Sequence, residues 1–316
     1  MERKHGWLTY LLPFFLIAAS LVIVSWVKAV PQETARQELP DDYYHSIAYR
    51  SGADPSLTID TLQQRLRSAP EDWRAYSQLG LAYLQKAREV GDPAYYPKAE
   101  GVLKKALSFE PGDYASVSGM GMLALARHEF QEGLTWGEKA VQINATRPFA
   151  YGIVADALIE LGRYQEAVDV LQKMVDLRPD TGSYSRISYI RELYGDTQGA
   201  VQMMQWAVDS GGATVETQAW TRTQLGNLYF NQGQLEQAET EYLRTLTIYP
   251  NYVYALAGLG KVRSAQGKPG EAIPLLEKAS QAMPIPEFVI LLGDIYQANG
   301  QTQAADQQYE LLRAIQ

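Results

Sequence analysis

The stretch LGNLYFNQGQLEQAETEYLRTLTIYP, Leu225 to Pro250, decides the fold. A leucine is followed by a small residue and, four places on, by a tyrosine. A glycine comes next at 233, an alanine at 238 and a proline at 250. Apolar positions spaced three and four apart on both sides of Gly233 read as two amphipathic helices joined by a tight turn. The same order recurs along the chain as LGLAY at Leu79–Tyr83 and LGDIY at Leu292–Tyr296, with weaker forms at Met120–Ala124, Val154–Leu158, Ile187–Arg191 and Leu259–Arg263. The small residue of the second helix stands at Ala99, Gly133, Ala167, Ala200, Ala238, Ala272 and Ala305, with separations of 34, 34, 33, 38, 34 and 33.

Each recurring residue has a physical reason. The position after the leucine is always small (Gly80, Gly121, Ala155, Ser188, Gly226, Gly260, Gly293), and the alanine of the second helix is expected to face it so that the helices cross closely. Gly162, Gly195, Gly233, Gly267 and Gly300 share the inter-helix position, where the backbone must turn left-handed, and His128 holds it in the second unit as an exposed turn residue. Pro111, Pro179, Pro250 and Pro284 end second helices.

A period near 34 with these residue types resembles the tetratricopeptide repeat, over residues 73–316. The resemblance implies an all-α fold, a right-handed α-solenoid of about seven helix pairs. Repeats are expected near 73–113, 114–147, 148–180, 181–214, 219–252, 253–285 and 286–316, with 43–72 as an atypical capping half-repeat. Two departures stand out. About seven extra residues fall between the helices of the first unit, around Val90–Glu100, and about four precede Trp220 after the Gly211-Gly212 stop.

Gly6 to Val27 contains no charged residue and is long enough for the roughly 20-residue helix that crosses a bilayer core. Trp7, Tyr10 and Trp26 near its ends suit the two interfaces. Residues 1–30 therefore read as a transmembrane anchor and 31–42 as a polar linker; the length of the apolar run favours an anchor over a cleavable signal ending at Ala29. Arg3 and Lys4 precede the helix and Lys28 and Arg36 follow it, so the basic count ties; the basic pair and α-amino group crowded at the start favour a cytoplasmic N-terminus with the repeats outside, in a bacterial plasma membrane.

Composition removes several functions. The formal charge of -8 argues against a nucleic-acid groove. The chain has no cysteine, so disulfides, thiol nucleophiles and cysteine-based zinc sites are excluded, and His5, His45 and His128 lie in unrelated contexts. No phosphate-binding loop or Ser/His/Asp order occurs. The reading is a non-enzymatic protein with no cofactor, no metal and no small-molecule substrate.

The resemblance implies that first helices line a concave groove. Carried over, the groove residues are Phe149, Asp156, Tyr189, Trp220, Asn227, Phe230, Asn231, Tyr254 and Lys261. Aromatic rings beside amides suit an extended peptide or a helix of a protein partner. The expected function is a membrane-tethered scaffold or assembly factor, for example in cytochrome c maturation or envelope assembly. The alternative is a constitutive accessory subunit of a larger membrane complex.

Overall fold

A computed structural model describes residues 55–315 apart from residue 213. The anchor at 1–30, the linker at 31–42 and the first part of the capping half-repeat lie outside the described residues. Among the described residues there are fifteen helices and no strand, and no helix is long and apolar enough to cross a membrane.

Helix α1 spans Pro55–Ser68. Seven hairpins follow: α2 (Trp73–Val90) with α3 (Tyr95–Phe109), α4 (Tyr114–Ala126) with α5 (Phe130–Ile143), α6 (Pro148–Glu160) with α7 (Tyr164–Leu177), and α8 (Thr181–Leu193) with α9 (Thr197–Asp209). The last three are α10 (Val215–Asn231) with α11 (Leu235–Ile248), α12 (Val253–Ala265) with α13 (Pro269–Ala282), and α14 (Pro286–Ala298) with α15 (Thr302–Ile315). We number these hairpins as repeats one to seven. The described residues form two compact units. One comprises 120–206; the other comprises 55–119 together with 207–315.

Both sequence insertions turn out to be helical. Instead of a long loop, the extra residues of repeat one mostly lengthen α2, which has 18 residues against 13 in α12. Those before Trp220 extend α10 backwards to Val215. Leu84 and Ala87 are buried near the end of α2, so continuing the helix buries apolar surface that an open loop would leave wet.

Every inter-helix turn from repeat two onward ends its first helix alike. The amide after the turn residue reaches back five residues: Gln234 donates to the Tyr229 carbonyl at 2.9 Å, Arg163 to Leu158 at 2.8 Å, and Lys268 to Arg263 at 2.9 Å. This bond requires a left-handed turn residue. Gly233 supplies it at φ 73°, and His128 does the same at φ 60° while Glu129 donates to Ala124 at 2.9 Å. His128 is exposed, with its ring edge-on to Phe130 at 5.5 Å.

In repeat four the small residue meets the expected alanine, with the Ser188 hydroxyl donating to the Ala200 carbonyl at 2.7 Å, but in repeats one, five, six and seven the close crossing differs from the expected glycine–alanine contact. A Cβ placed on Gly226 would stand 2.7 Å from Cε1 of Tyr242, one turn beyond Ala238. The small residue of the first helix receives a large side chain from the second: Leu103 at Gly80, Leu276 at Gly260 and Tyr309 at Gly293. Tyr242 is enclosed from both sides, since a Cβ on Gly258 would lie 2.5 Å from the same ring carbon. The ring is fully buried, and its hydroxyl donates to Oδ1 of Asn227 at 2.7 Å. Burial pushes the phenol well above its ordinary range, with Glu287 adding to the effect. Repeats four and six place arginines where the tyrosine of the pattern stands; Arg191 pairs with Asp196 at 2.8 Å and Arg263 with Glu239 at 2.6 Å.

Two outcomes are expected in denaturation of the full chain. Gly226→Leu drives a side chain into Tyr242 and lowers stability by roughly 1–3 kcal/mol; an unchanged midpoint would mean that the crossing is elsewhere. His128→Gly removes the strain of a non-glycine residue at positive φ and raises stability by about 0.5–1 kcal/mol.

Candidate protein-binding groove

In the unit that holds repeats five to seven, α10 packs along α12, so residues on their shared side form one face. Trp220 on α10 and Tyr254 on α12 keep 38% and 39% of their surfaces in solvent. Exposure of this size leaves each ring partly supported and partly available. Tyr254 is held on several sides: its hydroxyl donates to the Met283 sulfur at 3.6 Å, and its ring meets Phe288 at 5.6 Å and Tyr252 at 5.5 Å. Burial raises its phenol pKa, and Glu287, Glu216 and Tyr96 act in the same direction.

The remaining groove residues of this unit have internal partners. Lys261 pairs with Glu287 at 2.6 Å, so its charge is neutralised locally. Asn227 accepts from Tyr242 and donates to Gln224 at 3.3 Å. Phe230 is half-buried against the cluster of Ala219, Ala238, Tyr242, Leu259 and Val262, where it supports the core. Asn231 is exposed.

Phe149, Asp156 and Tyr189 belong to the other unit. There α6 packs along α8. Asp156 accepts both Nε and Nη2 of Arg186 at 2.8 Å, a bidentate pair that joins the two first helices. Tyr189 is 44% exposed, and Phe149 is half-buried. The pattern-derived residues therefore fall into two sets. Trp220 and Tyr254 in one unit and Tyr189 in the other are aromatic rings facing solvent.

Several residues at the site escaped the sequence reading. Met283 and Tyr252 are each only 7% exposed, although both lie in connections between repeats. Glu216 sits one turn before Trp220, and burial raises its carboxyl pKa; Glu89 adds to this, while Arg88 and Gln85 oppose it. Glu287 occupies the second place of repeat seven, the register position that marked Trp220 and Tyr254. That register was the available signal for Glu287. Nothing in the spacing pointed to Met283.

Comparison with known proteins adds the family signal. Models described as "Tetratricopeptide repeat" match residues 150–181 and 215–284. Anaphase-promoting complex subunit 7 of Arabidopsis thaliana is 22% identical over 153 residues, 48% of this chain and 27% of that protein. The chain thus spans about a quarter of the length of this curated relative. Among solved structures, the Cut9–Hcn1 hetero-tetramer of the anaphase-promoting complex is similar with a TM-score of 0.64 and 17% identity, covering 90% of this chain and 52% of that one. The human IFIT1 dimer with PPP-AAAA gives a TM-score of 0.65 at 14% identity, covering 82% and 64%. At such identities the likeness is one of fold. Residues 150–181 and 215–284 are accordingly tetratricopeptide repeats, set in an all-helical solenoid.

Proposed function

We propose that this chain is a protein–protein interaction scaffold whose repeats five to seven present an aromatic groove to a partner. The exposed pair Trp220 and Tyr254, on adjacent first helices, carries this reading. Rings of this kind gain most when a partner completes their burial. The paired state of Lys261 and Asp156 shifts the weight from charge to apolar anchoring, so the partner engages as an extended peptide or a helix with large apolar side chains. The uncharged segment Gly6–Val27 supports a further part of the proposal, that the scaffold is tethered to a bacterial plasma membrane with its repeats extracytoplasmic. Tethering raises the effective concentration of the groove against other membrane components. Recruitment of a partner to a membrane complex then follows, as in cytochrome c maturation or envelope assembly.

A second reading, a constitutive subunit of a larger complex, draws on the fold likeness to subunits of the anaphase-promoting complex. A mild-detergent pull-down with mass spectrometry separates the two, because a subunit co-purifies stoichiometrically and a recruiter does not.

The groove is tested on the partner so identified. Trp220→Ala combined with Tyr254→Ala is expected to weaken binding about thirtyfold or more, the equivalent of 2 kcal/mol, with the helical circular dichroism spectrum intact. Normal binding by the folded double variant would exclude this face. Protease added to intact spheroplasts should digest the repeats; full protection would reverse the proposed topology.

A further inference from the structure

The unit of residues 120–206 carries an aromatic surface of its own, at the turn ends of repeats three and four. Tyr189 and Leu193 stand four residues apart on α8, so they share one side of that helix. Both are exposed, Leu193 at 42% nearly as much as Tyr189. Tyr164 opens α7 with 38% of its surface in solvent, and its ring meets that of Tyr194, the residue after α8, edge-on at 6.1 Å. Because α6 packs along α8, Glu160 at the end of α6 comes to the same place. Burial raises the Tyr189 phenol pKa most, and Glu160, Tyr164, Glu192 and Asp156 add to it in that order. The charged groups acting on this ring are therefore all carboxylates.

The cations of this region are already committed. Arg163 pairs with Glu166 at 2.6 Å, and Arg186 with Asp156 and Arg191 with Asp196 each at 2.8 Å. Asp156 is thereby neutralised, whereas the exposed Glu160 has no ion pair among the described residues. Elsewhere the chain lays its own cations on surface rings: Arg74 stands 4.2 Å from the centre of Trp73, Lys105 4.7 Å from Phe109 and Lys139 5.1 Å from Trp136. Among the described residues no cation lies over Tyr164, Tyr189 or Tyr194, and none of their hydroxyls has a hydrogen-bond partner. Tyr309 in repeat seven shows the contrast, since its hydroxyl donates to Asp294 at 2.9 Å.

We propose that Tyr164, Tyr189 and Tyr194, together with Glu160 and Glu192, receive a lysine or arginine side chain from a basic segment of a protein partner. The face of an aromatic ring is the negative part of its quadrupole, so a cation is attracted to it, and the neighbouring carboxylates reinforce that attraction. The phenol hydroxyls can accept hydrogen bonds from the same cationic head. Leu193 beside the rings favours a cation on a long alkyl stem over a small free ion, because the stem can lie along apolar surface while its head meets the acidic groups. This site belongs to the other unit from the groove of repeats five to seven and does not depend on that reading.

The probe is fluorescein-labelled hexalysine, titrated against the full chain in non-ionic detergent at about 0.15 M salt and read by fluorescence anisotropy. Tyr164→Leu with Tyr189→Leu keeps apolar area but removes both ring faces, and should weaken binding about tenfold. Tyr164→Phe with Tyr189→Phe keeps the rings and should stay within about twofold of the unsubstituted chain. Glu160→Gln should weaken binding about threefold, and by less as salt is raised. Trp220→Ala with Tyr254→Ala should leave hexalysine binding unchanged, which separates this site from the groove. The proposal is overturned if hexalysine does not bind the unsubstituted chain, or if the folded leucine variant binds it normally. It is overturned as well if the phenylalanine variant loses as much as the leucine variant, or if only the Trp220→Ala/Tyr254→Ala chain loses binding. Should the leucine variant fail to fold, undiminished binding by Glu160→Gln overturns the proposal by itself.

Discussion

The close approach of two helices at a small residue, most often a glycine, is the contact on which the repeats depend. In repeat five the surface of Gly226 receives the ring of Tyr242, and Gly258 of the next repeat closes over the same ring. One aromatic side chain thus joins two helices within a repeat and a third from its neighbour. A core packed this tightly transmits any change of volume, because interiors have few voids to absorb it. The hydroxyl of Tyr242 would be costly if stranded, and Asn227 satisfies it. The amide that pattern reasoning assigns to a partner is therefore already committed to the fold.

The same tension governs the surface. A solenoid presents its first helices side by side, and their polar residues meet across the helix boundaries before any partner arrives. Arg186 reaches Asp156, Lys261 reaches Glu287, and Arg222 reaches Glu241, each between two helices. Such pairs fix the spacing of the helices, although those that remain exposed contribute little to stability. Among what is left over are three aromatic rings. Trp220, Tyr254 and Tyr189 hold large apolar area in solvent, and the phenols have hydroxyls that tolerate it.

The unit formed by residues 55–119 and 207–315 adds a constraint absent from a simple row of repeats. Contacts between neighbouring repeats are local in sequence, whereas those of Gly91 with Met283 and of Gln85, Arg88 and Glu89 with Glu216 join distant segments. Long-range seams of this kind cost more loop entropy to form than neighbour contacts do.

By itself the sequence determined the helical repeat, its period and its turns. Those features are local: Gly233 and His128 act through their own φ angles, and the five-residue return bond lies within a few residues of each. The register also singled out Trp220 and Tyr254, since a fixed place in a repeat is a fixed place on a helix. Three things were decided only by tertiary structure. Gly226 meets Tyr242 instead of Ala238, because side chains on a helix lean along its axis and cover a neighbouring turn. The extra residues of repeat one became helix, because burial of Leu84 and Ala87 favoured continuation over a loop. Gly91 came to rest on Met283, a pairing that no periodicity encodes, because it depends on where the path of the whole unit returns the chain.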